Sequence, residues 1–244
     1  MPFDFINGEI LLVGKPYEWT SFDVVNKVRY AITRASGMKK IKIGHAGTLD
    51  PLATGLLILC TGRYTKKIDE FIGYDKEYTG TFTLGATTPS YDLETGINQR
   101  YPTEHLTEEY IRSTARQFTG IIQQVPPLFS AKWIDGRRAY KFARKEQEVD
   151  LKPHTVEISA FEITAVKMPE VGFRIVCSKG TYIRALARDF GQALATGAHL
   201  AALCRTRIGP YHLRDAYRVE ELVAQITNRS QEPEGQGVSI PGQA

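Results

Sequence analysis

The apolar positions of this chain recur with two different periods, and the changes of period mark out its elements. Glu9–Val13 is a short apolar run closing on Gly14-Lys15-Pro16, the pattern of a strand entering a turn. From Ser21, the positions Phe22, Val24, Val25, Val28, Ala31 and Ile32 follow helical spacing. Ser21 is placed to cap that helix, and Asp23 suits the positive end of its dipole. Residues 44–55 are dense in glycine, threonine and proline and read as a loop feeding a buried strand, Leu56–Cys60. Lys76–Leu84 alternates as a half-buried strand with Tyr78, Gly80, Phe82 and Leu84 on one face.

Thr87–Pro102 is polar and rich in turn formers, longer than a hairpin needs, and loops of that length are usually functional or mobile. Thr107 begins a helix that runs to Phe118, with Glu108 and Glu109 in its first turn. Two prolines keep residues 123–133 extended, and a basic helical piece is predicted over Arg137–Lys145. Strands follow at Thr155–Val166 and Gly172–Ser178, separated by Met168-Pro169-Glu170. Residues 179–194 read as a turn and a helix, Leu203–Ile208 as a last strand, and Val219–Ile226 as a short helix. No internal repeat is present. The elements mix without regular βαβα alternation, so the expectation is an α+β fold, a mixed and largely antiparallel sheet with flanking helices. Residues 1–227 make one domain on this reading, and the composition of 228–244 predicts a flexible tail.

Composition narrows the class. Of 244 residues, 42% are hydrophobic and 24% charged, which suits a soluble globular protein. No apolar run reaches the length of a membrane span, and the N-terminus lacks the pattern of a secretory signal, so a cytoplasmic protein is expected. Cys60, Cys177 and Cys204 are too scattered for a zinc site and read as reduced thiols. Net charge is +4, with basic clusters at Lys39-Lys40-Lys42, Lys66-Lys67, Arg137-Arg138 and Arg144-Lys145. That asymmetry is compatible with a face for a polyanion, although charge alone does not distinguish such a face from ordinary solvated surface.

The candidate chemistry lies in Gly44-His45-Ala46-Gly47-Thr48-Leu49-Asp50-Pro51-Leu52-Ala53-Thr54-Gly55. Pro51 forces Asp50 into an extended conformation, so a carboxylate is held on a stiffened loop beside a buried strand. An isolated Asp-Pro, however, more often simply initiates a turn. The wider pattern changes that balance. The stretch GHAGTLDPLATGLL resembles the signature of the bacterial tRNA pseudouridine-55 synthases (the TruB type). LLVGKPYEWTSFDVVNKVR, KEYTGTFTLG, QVPPLFSAKWIDGRRAYKFAR and CSKGTYIRALARDFG resemble further stretches of that family in the expected order. The likeness spans roughly residues 9–210.

The resemblance implies the pseudouridine synthase fold and a set of roles. Asp50 matches the catalytic aspartate, His45 the histidine that displaces the target base, and Tyr78 the tyrosine that stacks on it. Tyr182 and Arg184 match the active-site tyrosine and the arginine that pairs with the aspartate, and Leu203 an apolar residue of the base pocket. Lys15, Arg137, Arg138, Lys141 and Arg144 are expected to contact the RNA backbone, the last four within a clasping insertion at about 124–152. The partner implied is the T-stem-loop of tRNA, met by a monomer with no obligatory protein partner, no membrane, no metal and no cofactor. An additional C-terminal RNA-binding domain (the PUA type), common in the family, is not expected in the few residues after Ile208, so the chain reads as a short form.

Pseudouridylation breaks the bond from ribose C1′ to uracil N1 and rejoins C1′ to C5, with nothing oxidised and no group gained. A carboxylate can stabilise or trap the positive character that develops at C1′, as in glycoside cleavage. It can instead attack the uracil ring, or remove the 2′ proton, and the sequence leaves these three paths open. All three use an ionised Asp50, which a paired guanidinium at Arg184 favours. Competing readings are a guide-RNA-dependent relative, a non-catalytic tRNA-binding factor, and an unrelated carboxylate hydrolase. The last usually needs two carboxylates, and the key loop holds one.

Overall fold

The computed structural model describes residues 3–129, 133–134, 137–138 and 151–228. Strand β1 (Ile10–Lys15) leads into helix α1 (Ser21–Ser36), whose cap is Thr20 and not Ser21. The Thr20 side chain accepts from the Asp23 amide, and the Asp23 carboxylate accepts from the Thr20 amide at 2.8 Å. This reciprocal pair leaves the Ser21 hydroxyl to accept from the Leu49 amide at 2.9 Å, tying the helix to the Gly-rich loop.

Strands β2 (Ile43–His45) and β3 (Ala53–Thr61) flank that loop. After a 3-10 turn and helix α2 (Ile68–Gly73) comes β4 (Lys76–Leu84). The long polar segment is held at its ends by a small ladder, β5 (Ala86–Thr87) with β6 (Gln99–Arg100). Helix α3 (Glu108–Gln117), capped by the Thr107 side chain, precedes β7 (Gly120–Gln124). Within the basic segment, β8 (Trp133–Ile134) pairs antiparallel with β9 (Arg137–Arg138). Arg137 and Arg138 therefore belong to a ladder and not to the predicted helix, because their backbone is paired with that of Trp133 and Ile134. The chain continues through β10 (His154–Lys167), β11 (Glu170–Cys177), α4 (Ile183–Ala193), β12 (Ala198–Ile208), β13 (Tyr211–His212), β14 (Tyr217–Arg218) and α5 (Val219–Asn228). The expected tail, from 229 onward, lies outside the described residues.

The strands form a mixed sheet in the order β14-β1-β3-β12-β4-β11-β10-β7, with β2 and β13 beside β3 and β12. The β14–β1 and β3–β12 pairs are parallel, and the others are antiparallel. Helices α1 and α5 cover β1 and β3, burying Val24, Val28, Ile32, Leu222 and Ile226 against Leu11, Val13, Leu57 and Leu59. The alternate β3 residues Leu56, Ile58 and Cys60 face the other way, against Phe71 of α2. Helices α3 and α4 cover the second half of the sheet. Phe82 and Phe173 stack there at 4.2 Å between ring centroids, with Phe161 and Phe190 around them. Each such ring contributes about 1.5–3 kcal/mol by leaving water.

Strand β12 begins five residues earlier than predicted. Ala198-His199-Leu200-Ala201-Ala202 has no strand signature of its own, and its extension is imposed by the ladder to β4, with a bridge from Leu200 to Asp92; β3 pairs with β12 only from Leu203 to Arg205. The close β3–β12 pairing needs Gly55, whose φ is +110° and where a Cβ would lie 2.3 Å from the Arg205 carbonyl oxygen. This junction brings the Gly-rich loop, the start of β4 and the middle of β12 together.

Candidate active site

A cavity of about 350 Å³ opens at that junction, within the size range of small-molecule sites. Gly47–Asp50 form one side, Tyr78 and Leu203 the sheet side, and Ser178–Arg184 the side where β11 turns into α4. Asp50 projects from the stiffened loop. Its backbone carbonyl accepts from the Ala53 amide, and the next residue's carbonyl, at Pro51, accepts from the Glu18 amide at 2.9 Å.

Arg184 donates Nε to Asp50 Oδ2 at 2.9 Å. The two residues pair as expected, through one hydrogen bond, while Nη1 of the guanidinium is engaged elsewhere. Its Nη1 donates to the carbonyls of Ser90, at 3.2 Å, and Phe129, at 2.8 Å. A second carboxylate, Asp92, lies 3.5 Å from Nε. Among the described residues no donor reaches Asp50 Oδ1, and the side chain lines the cavity. Asp92 is buried and fixed through Oδ1 to the Glu94 amide, so it acts as a support for Arg184 and not as a second open carboxylate.

Tyr78 is almost wholly buried on β4, opposite Arg205 of β12, with its ring in the cavity wall. Burial pushes its hydroxyl pKa above the ordinary value, against the pull of the Arg205 guanidinium. Arg205 is itself 1% exposed and donates to the carbonyls of Leu56, at 2.8 Å, and Gly47, at 3.0 Å, bracing the loop from below. Tyr182 stands at the N-terminus of α4. The buried Gln124 side chain clamps its backbone, accepting from the Tyr182 amide at 2.8 Å and donating to its carbonyl at 3.2 Å. The Tyr182 ring meets His154 edge to face at 6.1 Å.

Two expected residues are placed differently. The Lys15 ammonium, expected at a phosphate, is 2% exposed and donates to the carbonyls of Pro16, Trp19 and Pro51 at 2.9, 2.5 and 3.1 Å. Burial pulls its pKa down to about 8. Lys15 thus holds the loop behind Asp50, because three carbonyls converge where a strand end meets a proline turn. His45 ends β2 beside the cavity but not in its wall; its Nδ1 is buried without a partner, and burial together with Arg205 lowers its pKa. The side chains of Arg137 and Arg138, and all of Lys141 and Arg144, lie outside what the structure describes.

Four residues of this neighbourhood were not picked out from the sequence: Lys76, Asp92, Gln124 and Arg205. Lys76 and Arg205 had a legible signal, a charge two positions from Tyr78 and from Leu203 on the same inward strand face. Asp92 lay in the segment flagged only for its length. Among the described residues no group of three or more His, Cys, Asp or Glu is placed to hold a metal ion, and no helix is long and apolar enough to cross a membrane.

Residues 34–183 match the model of the TruB family pseudouridylate synthase N-terminal domain, and residues 184–236 that of the tRNA pseudouridylate synthase B C-terminal domain. The chain is 56% identical over 217 residues to a protein of Phocaeicola vulgatus named tRNA pseudouridine synthase B, covering 89% of this chain and 92% of that one. It is 55% identical over 216 residues to the protein of the same name from Flavobacterium johnsoniae, covering 88% and 94%. Among solved structures, a chain of an archaeal box H/ACA sRNP complex superposes with a TM-score of 0.66 at 26% identity. That likeness covers 93% of this chain and 56% of the other. The boundary between the two matched models falls between Ile183 and Arg184, so it separates Asp50 from the arginine that holds it.

Proposed function

The chain belongs to the TruB family of pseudouridylate synthases and isomerises uridine-55 of tRNA to pseudouridine, and we propose that it does so with Asp50 as the catalytic carboxylate. The observation that supports this assignment is the placement of Asp50: its Oδ1 is open to a cavity walled by Tyr78, and its Oδ2 is held by Arg184.

Uridine-55 is flipped out of the folded T-loop, at a cost of a few kcal/mol, and enters the cavity. Its ring stacks on Tyr78, a contact worth about 1–3 kcal/mol, which retains it once detached. The bond between N1 and C1′ breaks, Asp50 meets the positive character at C1′, the ring turns, and C5 takes the place of N1. Arg184 keeps Asp50 aimed, Leu203 and Tyr182 close the sides, and His45 fills the space the base vacates. The insertion at about 124–152, with Arg137, Arg138, Lys141 and Arg144, clasps the RNA through phosphates. We place all of this in one catalytic domain, residues 1–227, acting as a cytoplasmic monomer without a protein partner.

The guide-RNA-dependent reading draws only on the 26% identity to the archaeal sRNP chain, against 55% and 56% to the proteins named tRNA pseudouridine synthase B. The test is tritium release from tRNA labelled at uracil C5, with the purified chain alone. Release is expected without any added protein or guide. Its absence, with restoration by a guide-containing particle, would replace the stand-alone reading.

A further inference from the structure

The cavity wall also holds a buried cation that forms no ion pair among the described residues. Lys76 opens β4 between Cys177 of β11 and Ile208 of β12, and is 6% exposed. Its ammonium donates to the carbonyls of Ile72 and Tyr74, both at 2.6 Å. Two acceptors for three protons leave one N–H, and the side chain lines the cavity. Among the described residues no carboxylate forms an ion pair with it. Arg205 and Lys179 repel it, and the groups that offset them are the Cys177 thiol and Asp75. A cation buried in this way is costly unless an opposite charge arrives.

The reaction generates such a charge. When the N1–C1′ bond breaks, its electron pair stays on N1, and uracil separates as a monoanion with charge spread over N1, O2 and O4. In the return step C5 attacks C1′; the proton leaves C5 and N1 gains one, so the product is an isomer of the substrate. Asp50 has the wrong sign to stabilise the detached ring. Lys76 and Tyr78 project from the same face of β4, two residues and roughly 7 Å apart. A ring stacked on Tyr78 spans that distance with a carbonyl oxygen toward the ammonium.

We propose that Lys76 is a further catalytic residue, donating its remaining N–H to a carbonyl oxygen of the uracil as the ring becomes anionic. The inference rests on the assigned isomerisation, and wild-type turnover tests that assignment separately. The other anion available is a phosphate of the flipped nucleotide, which belongs to the RNA backbone at the cavity mouth and not to its buried wall.

Lys76→Met and Lys76→Arg are to be compared with wild type in single turnovers at saturating enzyme, by C5 tritium release. The Met variant is expected to be slower by about a hundredfold, with its Kd for tRNA within about twofold, and the Arg variant to recover part of the rate. Thermal melting of the Met variant should be unchanged or raised, since a buried uncompensated charge is gone. With 5-fluorouridine at the target, a base that leaves more readily as an anion, consumption of the N-glycoside should suffer a smaller deficit. A saturating rate close to wild type overturns the proposal, as does an equal deficit for both bases. A weaker Kd with a salt slope reduced by about one at unchanged rate also overturns it, in favour of a phosphate contact. If the Met variant does not fold, Lys76→Gln carries the same comparison.

Discussion

Arg184 Nε and Asp50 Oδ2 lie 2.9 Å apart, yet the two side chains are exposed to 5% and 42% respectively. The cation belongs to the interior and the carboxylate to the cavity. Arg184 is oriented from inside, by Asp92 and by the carbonyls of Ser90 and Phe129, so the direction in which it holds Asp50 is set before any substrate enters.

Asp50→Asn should abolish turnover while leaving tRNA affinity within about tenfold, or 1.4 kcal/mol. Tritium release and filter binding on the same preparation measure the two quantities. A large loss of binding would recast Asp50 as a structural residue.

Tyr78→Leu should lower the saturating rate strongly, because the detached ring loses the aromatic face that retains it. Tyr78→Phe keeps that face and should retain more activity than the Leu variant. Equal rates for the two variants would remove the stacking role.

Asp92→Ala withdraws a carboxylate ion-paired with a buried guanidinium at 3.5 Å and should cost about 1–3 kcal/mol of stability. Urea unfolding gives that figure, and the saturating rate should fall at the same time because Arg184 is free to turn away from Asp50. A fully active variant of unchanged stability would show that Arg184 is oriented without it.

His45 carries a pKa lowered by burial, so its unfolded value, near 6.5, is the higher of the two. Between the folded value and 6.5 the unfolded chain binds a proton that the folded chain does not, and stability falls as pH falls across that window. His45→Asn lacks this component. Urea midpoints between pH 7 and 5 should decline less steeply for the variant, and superimposable curves would contradict the assignment.

The sequence made the strongly periodic elements readable: α1, β4, α3 and the β10–β11 pair lie close to where their apolar spacing put them. It failed where structure is imposed from outside. The alanine-rich start of β12 is a strand because β4 pairs along it, and Arg137–Arg138 are extended because β8 pairs with them. Asp50, Tyr78, Tyr182 and Arg184 were found through contiguous motifs. Asp92 was missed because its meaning lies in a contact with Arg184, on another element. Lys15 was counted among the RNA-backbone contacts because nothing in a Gly-Lys-Pro turn shows that three carbonyls converge on it.

Strand β12 has a temporal consequence. It stands between β3 and β4, and among the described residues it is the strand that joins β14-β1-β3 to β4-β11-β10-β7. A nascent polypeptide emerging from the ribosome as far as α4 already possesses Asp50, Tyr78 and Arg184, but among the described residues the strand that registers one sheet fragment against the other is still missing. Such long-range pairing is intrinsically slow. Competence therefore arrives late and all at once during synthesis, when the strand bearing Leu203 and Arg205 slots into the gap.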